Sequence, residues 1–180
     1  IDHDDVLWVA KREDLSRLLD KILPKELDRV LADANRFYDG FLFDRALPEF
    51  KRLLRFLPSN PYINLRIAQS ELMRRKNENE SVSASLDETL KYLDSSLKLA
   101  PQNAAVYNEY GLIAFQQGEF DKALSYFEKA AGLSKKNEIY EWNVFETHLA
   151  KSDAYFGDYN FSAAQNEIEK VMDDLPDFSD

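Results

Sequence analysis

Four stretches of the chain repeat one arrangement of large apolar and small residues. Each begins with a bulky apolar residue, has a small residue three positions later, and places two further core-forming residues after steps of four and three. These positions are, in turn, Phe43, Leu86, Phe120 and Phe161; Ala46, Thr89, Ala123 and Ala164; Phe50, Leu93, Phe127 and Ile168; and Leu53, Ser96, Ala130 and Val171. Steps of three and four place side chains on one helical face, so the pattern predicts four amphipathic helices.

A polar residue follows each of the bulky residues that open these stretches. A side-chain oxygen at this place can accept a free backbone N–H of the first helical turn. We therefore predict four helix N-caps, which are Asp44, Asp87, Asp121 and Ser162.

A first helix is predicted before these second helices, which gives helical pairs. Small residues at one equivalent position, Ala34, Ala68 and Gly111, would let the two helices of a pair cross closely. Gly118 is predicted to end the first helix of its pair just before Phe120.

Proline spacing indicates the length of one pair. Pro24 and Pro58 are 34 residues apart, a length typical of a helix-turn-helix repeat. The interval from Pro58 to Pro101 is nine residues longer. A further 34 residues lead from Pro101 to Lys135, and the last interval, from Lys135 to Pro176, is seven residues longer.

The two longer intervals lead to different predictions. Nine residues are about 2.5 helical turns, which would turn an extended helix out of phase, so a surface loop is predicted near residues 76–85. A functional binding loop is the alternative. Seven residues are close to two turns, so residues 138–156 are predicted as one long helix followed by a turn at 157–160.

The stretch from Ala104 to Leu133 resembles the tetratricopeptide repeat family. The resemblance rests on Tyr107, Gly111, Gly118, Ala123, Phe127 and Ala130. It extends over about residues 25–176 and implies an all-α, right-handed superhelical solenoid of about four helix-turn-helix repeats. The repeats are predicted at about 27–60, 61–103, 104–137 and 138–176, with a tail at 177–180.

Residues 1–24 do not carry the repeat pattern. Leu15, Leu18, Leu19 and Ile22 have helical spacing, which predicts a helix that caps the apolar end of the solenoid. The alternative is a helix that docks on a partner or on an upstream repeat.

The resemblance also implies a binding groove that is lined by the first helix of each repeat. Amides on this face can hydrogen-bond a peptide backbone, and aromatic residues can form side-chain pockets. About half of these residues are expected only to fill space between repeats. The implied groove residues are Asn35, Tyr38, Tyr62, Leu65, Arg66, Gln69, Asn108, Leu112, Phe115, Gln116, Trp142 and Glu146.

One subfamily of these domains grips a C-terminal carboxylate with Lys and Asn on the first helix. Asn35 matches one of these positions, but Leu31 stands where the Lys is expected. This departure argues against a receptor for chaperone tails.

Composition limits the chemistry of the chain. Its 180 residues include no Cys and two His, so disulfides, thiolate metal sites and multi-His metal sites are excluded. His148 has Val144 and Ser152 at its i−4 and i+4 positions, so no carboxylate partner is predicted on its own helix. With no catalytic motif, cofactor loop or metal-ligand pattern, we expect neither an enzyme nor a bound cofactor or metal.

Charge is uneven along the chain, whose net charge is −10. Residues 1–76 hold 15 Lys and Arg against 13 Asp and Glu, whereas residues 77–180 hold 8 against 20. This acidic part disfavours nucleic acid and could steer a basic partner, or it could serve solubility alone. No apolar run is long enough to span a membrane.

The leading functional hypothesis is a non-catalytic scaffold that binds a peptide or helix of a partner protein in the groove. The alternatives are a self-assembly unit that forms homo-oligomers through its terminal helices, and a regulatory or targeting module of a larger protein. The compartment stays open. A start at Ile1 and the lack of Cys slightly favour an exported bacterial protein, periplasmic or surface-anchored, over a cytoplasmic one.

Overall fold

Every secondary-structure element in the described residues, 22–77, 86–134 and 137–172 of a computed structural model, is an α-helix. The chain divides into two compact units, Ile1–Asn79 and Glu80–Asp180, which we call the N-terminal and C-terminal units. The helices are α1 (described over 22–39), α2 (Phe43–Phe56), α3 (Pro61–Asn77), α4 (Asp87–Leu99), α5 (Ala104–Gln116), α6 (Phe120–Leu133), α7 (Glu138–Gly157) and α8 (Phe161–Met172).

The predicted alternation of small and large residues forms the core of the N-terminal unit. Ala46, Phe50 and Leu53 on α2 are buried as predicted, and α2 packs against α3. Ala34 on α1 and Ala68 on α3 are also fully buried. The small residues therefore lie inside the packed interior, as their positions in the pattern predict.

In the C-terminal unit, α5 packs on α6, α6 on α7, and α7 on α8. Ala114, Ala123 and Phe127 form a buried cluster at the centre of the α5–α6 pair. A Cβ at Gly111 would overlap the ring of Phe127, so α6 approaches α5 as closely as a glycine allows. The predicted role of Gly111 in close helix crossing is confirmed.

The last helix departs from the pattern. Ile168 was expected to be buried, but it is 42% exposed, and its neighbour Glu167 is buried at 5% exposure. The prediction for Ile168 is wrong because α8 turns a hydrogen-bonding residue towards α7 where the other repeats have a hydrophobic one.

The predicted N-caps are wrong. Helices α2 and α6 begin at Phe43 and Phe120, so the aspartates that follow lie inside the first turn. Asp87 is itself the first residue of α4, and Ser162 is the second residue of α8. The turns before α2 and α6 are only a few residues long, so these helices start directly at the bulky residue.

Asparagines that were not predicted as caps stand before three of the first helices, α3, α5 and α7. The side-chain oxygen of each accepts a backbone N–H two or three residues later, at 3.1 to 3.2 Å. Their signal was present, since each stands immediately before a predicted first helix. These residues are Asn60, Asn103 and Asn137.

The turn between paired helices requires a left-handed backbone at one position. Gly118 adopts this conformation with φ of 73°, two residues before Phe120, and it follows the end of α5 as predicted. The equivalent places, two residues before Phe43 and Phe161, are occupied by Phe41 and Tyr159 with φ of 58° and 59°. These two turns therefore place a strained aromatic residue where glycine is favoured.

The lengths of the helices confirm one prediction and change two others. Helix α7 runs over 20 residues against 13 for α5, in agreement with the predicted long helix. Helix α3 continues through Asn77, so the first residues of the predicted insert near 76–85 are helical, and residues 78–85 lie outside the described part. Pro24 lies within the helical residues 22–39 rather than at the end of a separate helix.

Two further expectations lie outside the described residues. The proposed N-terminal cap falls largely on residues 1–21, and the tail at 177–180 follows the last described residue, Met172. The division into repeats at 27–60, 61–103, 104–137 and 138–176 stays a prediction.

Candidate functional site

Five predicted groove residues of the N-terminal unit meet in one connected cluster between α1 and α3. The Tyr62 hydroxyl donates a hydrogen bond to Asn35 Oδ1 at 2.6 Å, and Arg66 Nε donates to the Tyr62 hydroxyl at 2.9 Å. Arg66 Nη1 also donates to Gln69 Oε1 at 3.4 Å. We call these four residues and Tyr38 the arginine cluster.

Two aromatic rings hold the guanidinium of Arg66. Its central carbon lies 4.3 Å from the ring centroid of Tyr38 and 5.1 Å from that of Tyr62. Partial burial lowers the pKa of Arg66, but the hydrogen bond to Tyr62 and the nearby tyrosines outweigh this effect and raise the pKa. The arrangement fixes a positive charge at the surface in a defined orientation.

Leu65 behaves differently from the arginine cluster. Its side chain is buried, although it was included among the groove residues. Leu65 therefore belongs to the group of predicted groove residues that fill interior space.

In the C-terminal unit, several predicted groove residues take part in packing. Asn108 is buried and accepts a hydrogen bond at Oδ1 from Nδ2 of buried Asn143, 2.6 Å away. Leu112 and Phe115 are partly buried against the α5–α6 cluster, and the ring of Phe115 contacts Phe120 edge-on at 5.7 Å. These three side chains therefore connect helices, which leaves less of their surface for a partner.

The remaining three predicted residues of this unit are exposed. Gln116 lies at the last position of α5, and Trp142 and Glu146 lie on α7. Trp142 stacks on Phe145 with ring centroids 5.2 Å apart and planes inclined by 29°. This stacking orients a large aromatic surface that stays accessible to solvent.

Comparison with known proteins identifies the repeats. The sequence model of the tetratricopeptide repeat family matches residues 84–138. The chain contains tetratricopeptide repeats. The match includes the whole of α5 and α6, where the pattern of Gly111, Ala123 and Phe127 is most complete.

Two relatives share parts of the chain. The human cell division cycle protein 16 homolog is 34% identical over 74 residues, which cover 39% of this chain and 12% of the relative. A tetratricopeptide repeat-containing protein of Methanocaldococcus jannaschii is 27% identical over 121 residues, which cover 65% of this chain and 19% of the relative. The chain thus spans less than a fifth of the length of either relative.

Solved structures show the same fold. The crystal structure of MamA matches with a TM-score of 0.58 and 17% identity, and the match covers 96% of this chain and 94% of that one. The first tetratricopeptide domain of Spaghetti (RPAP3), solved with a bound HSP90 peptide, matches with a TM-score of 0.58 and 13% identity, covering 70% and 93%. At these identities the similarity establishes the fold.

Helices α7 and α8 also bring together a charged group that was not predicted from the sequence. His148 Nδ1 lies 2.7 Å from Glu167 Oε2, although no acid lies one turn away on its own helix. Lys151 and Lys170 each place Nζ 3.0 Å from Glu167 Oε1, and Lys151 also donates to Asp121 on α6 at 2.6 Å. This group joins three consecutive helices.

The environment of Glu167 keeps its carboxylate charged. Burial alone would raise the pKa of Glu167, but hydrogen bonds from His148, Lys151 and Lys170 outweigh burial and lower the pKa to about 2. Hydrogen bonds to Asp121 and Glu167 raise the pKa of Lys151. Because both carboxylate oxygens of Glu167 already have partners, the group is organised as a link between helices.

Two further observations concern other kinds of site. In the described parts of the chain, no group of three or more His, Cys, Asp or Glu side chains is arranged to hold a metal ion. No described helix combines the length and apolarity that crossing a membrane requires.

Proposed function

We propose that this chain is a non-catalytic interaction module that holds a peptide or helix of a partner protein against the first helices of its repeats. Proteins with tetratricopeptide repeats generally act as interaction modules, and the solved Spaghetti domain carries a bound HSP90 peptide. The class of function rests on the repeats, and the binding surface rests on the side chains described above.

The arginine cluster is the observation that carries this proposal. Its side chains are ordered by hydrogen bonds and ring stacking, while Tyr62 stays exposed and Asn35 and Arg66 are half-buried. Ordering a surface before binding lowers the entropic cost of binding, and Arg and Tyr are enriched at the energetic centres of interfaces. The cluster offers amide, hydroxyl and guanidinium groups on one small surface.

The partner differs from a ligand of the carboxylate-binding subfamily. Leu31 on α1 replaces the Lys expected there, and the cation of the arginine cluster is Arg66 on α3. A planar guanidinium presents paired N–H donors, so the cluster favours backbone carbonyls and acidic or amide side chains of a peptide.

A peptide display library tests this proposal, because random peptides sample many candidate ligands at once. Peptides selected on the wild-type chain are titrated by calorimetry against Arg66→Ala and Tyr62→Ala. We expect both variants to weaken binding by about 1–3 kcal/mol, the range for residues at the centre of an interface.

Arg45→Ala is the matched control, because Arg45 also stacks on a ring, that of Phe37, at 4.5 Å, and lies outside the cluster. Its affinity for the selected peptides should equal that of the wild type. Equal affinity for all of the variants would contradict a binding role of the arginine cluster.

A further inference from the structure

Helix α7 carries a row of large apolar side chains that face solvent. Ile139, Trp142 and Phe156 are exposed by 64%, 61% and 64%, and Leu149 is 38% exposed. These four residues, named the α7 ridge, are separated by three, seven and seven positions and lie on one side of the helix.

The sides of α7 next to the ridge are already occupied. Asn143, Thr147 and Ser152 are buried; Asn143 hydrogen-bonds Asn108 on α5, and Ser152 hydrogen-bonds the backbone oxygen of Ala164 on α8. The α7 ridge is therefore not the packing face of its own repeat. From Ile139 to Phe156 it extends about 25 Å, given a rise of about 1.5 Å per residue, which is the length of a short partner helix.

The exposed charged residues of α7 are all acidic. Glu138, Glu141, Glu146 and Asp153 are all exposed, and none of the ion pairs among the described residues involves them. Lys151, the one lysine in the sequence of α7, is bound to Asp121 and Glu167 on the neighbouring helices. The surface thus combines a continuous apolar row with uncompensated negative charge.

From this combination we propose that the α7 ridge docks an amphipathic helix whose apolar face is bordered by Lys and Arg. Steps of three and seven are typical of apolar rows that pack against a second helix, and exposed apolar rows with polar borders mark interaction sites. The negative border selects a basic partner by charge complementarity. This inference rests on the proposed role of the chain as an interaction module.

A second copy of the chain fits this surface less well. Two α7 ridges placed together would oppose the same exposed carboxylates, and like charges facing each other across an interface are unfavourable. A basic helix instead neutralises this border while its apolar side chains cover Trp142 and Leu149.

The probe is a synthetic 18-residue peptide of Leu and Lys with Leu at steps of three and four. One control peptide has the same composition in scrambled order, and a second has Glu in place of Lys. The chain has two Trp residues, so a Trp8→Phe background makes Trp142 the sole reporter of tryptophan fluorescence. We expect the Leu/Lys peptide to shift the Trp142 emission to shorter wavelength and to bind at least tenfold more tightly than either control peptide.

Matched variants locate the binding. Leu149→Ser should weaken binding of the Leu/Lys peptide at least tenfold, whereas Leu133→Ser on α6 should not, although Leu133 is equally exposed at 39%. Circular dichroism verifies that both variants keep their helices. Equal binding of the scrambled or Leu/Glu peptide, or equal loss with Leu133→Ser, would overturn the proposal.

Two additional measurements separate this inference from its competitors. Sedimentation that shows self-association of the wild type, abolished by Leu149→Ser, would assign the ridge to a second copy and overturn the basic-helix partner. Arg66→Ala should leave the affinity for the Leu/Lys peptide unchanged. If the wild type does not bind the Leu/Lys peptide, the α7 ridge is refuted as a docking site. If library peptides bind Arg66→Ala as tightly as the wild type, the arginine cluster is refuted as a binding surface.

Discussion

Nδ2 of Asn143 on α7 donates a hydrogen bond to Oδ1 of Asn108 on α5 at 2.6 Å, and both residues are buried. Inside the C-terminal unit, each of the two amides serves as the hydrogen-bond partner that water would otherwise provide for the other. A residue expected to contact a ligand thus contributes to the connection between two first helices.

Asn108→Ala should therefore lower stability. The substitution leaves the buried Asn143 amide without its acceptor, and a buried unsatisfied group costs about 1–3 kcal/mol. Urea unfolding of Asn108→Ala, Asn143→Ala and the double variant measures the cost. The double variant should lose less than the sum of the two single variants, and strict additivity would show that the two amides do not interact.

Acid should destabilise the C-terminal unit through Glu167. The folded state holds its pKa at about 2, below the ordinary value of 4.5, so the stabilisation is complete above pH 5 or so and is lost as the pH falls towards 2. The shift corresponds to about 2 kcal/mol lost by pH 3. Unfolding of wild type and Glu167→Gln at pH 6 and pH 3 should show their stability difference shrinking on acidification.

Glu169→Gln is the control for this experiment. Glu169 is exposed and accepts a hydrogen bond only from Gln165 on its own helix among the described contacts. Its substitution should change stability by less than about 0.5 kcal/mol. If Glu167→Gln and Glu169→Gln show the same pH profile, the charged group between α7 and α8 does not stabilise the fold.

Gly111→Ala should destabilise the α5–α6 pair. The added Cβ would overlap the Phe127 ring, and overpacking of this kind costs about 1–3 kcal/mol. In contrast, Gly132→Ala on α6 meets no atom within 4 Å and should stabilise by about 0.5–1 kcal/mol because alanine favours the helix. Thermal melts that shift in the same direction for both variants would contradict the close crossing at Gly111.

Tyr159→Gly should stabilise the turn between α7 and α8. Tyr159 holds a left-handed backbone while its side chain is exposed, and such a conformation costs a non-glycine residue about 1–2 kcal/mol. Part of this gain is offset by the greater freedom of glycine in the unfolded chain and by the loss of a 6.3 Å ring contact with Phe161.

The reverse substitution at the equivalent turn completes this test. Gly118→Ala introduces a side chain at φ of 73° with no neighbouring atom within 4 Å, so a loss of stability comes from backbone strain and not from overlap with a neighbour. We expect a loss of about 1 kcal/mol by chemical denaturation. A stable Gly118→Ala variant together with a destabilised Tyr159→Gly variant would show that the aromatic contact outweighs the strain.

Features that depend on short stretches of chain were predictable from the amino-acid sequence. The periodic small and large residues determined which faces of α2 and α6 are buried, and a glycine two residues before Phe120 determined the turn after α5. The length of α7 followed from a seven-residue excess, because two added turns keep the buried face in phase. These outcomes rest on helical geometry, which the local sequence already contains.

The tertiary structure decided how polar side chains are used. Glu167 lies 19 positions from His148 and Asn108 lies 35 from Asn143, so no spacing rule on one helix relates them. The same holds for Asn35 and Arg66, which join through Tyr62 only when α1 and α3 lie side by side. Hydrophobic burial follows a period along each helix, whereas a hydrogen bond between helices depends on which residues the packing brings within about 3 Å, and packing alone fixes that distance.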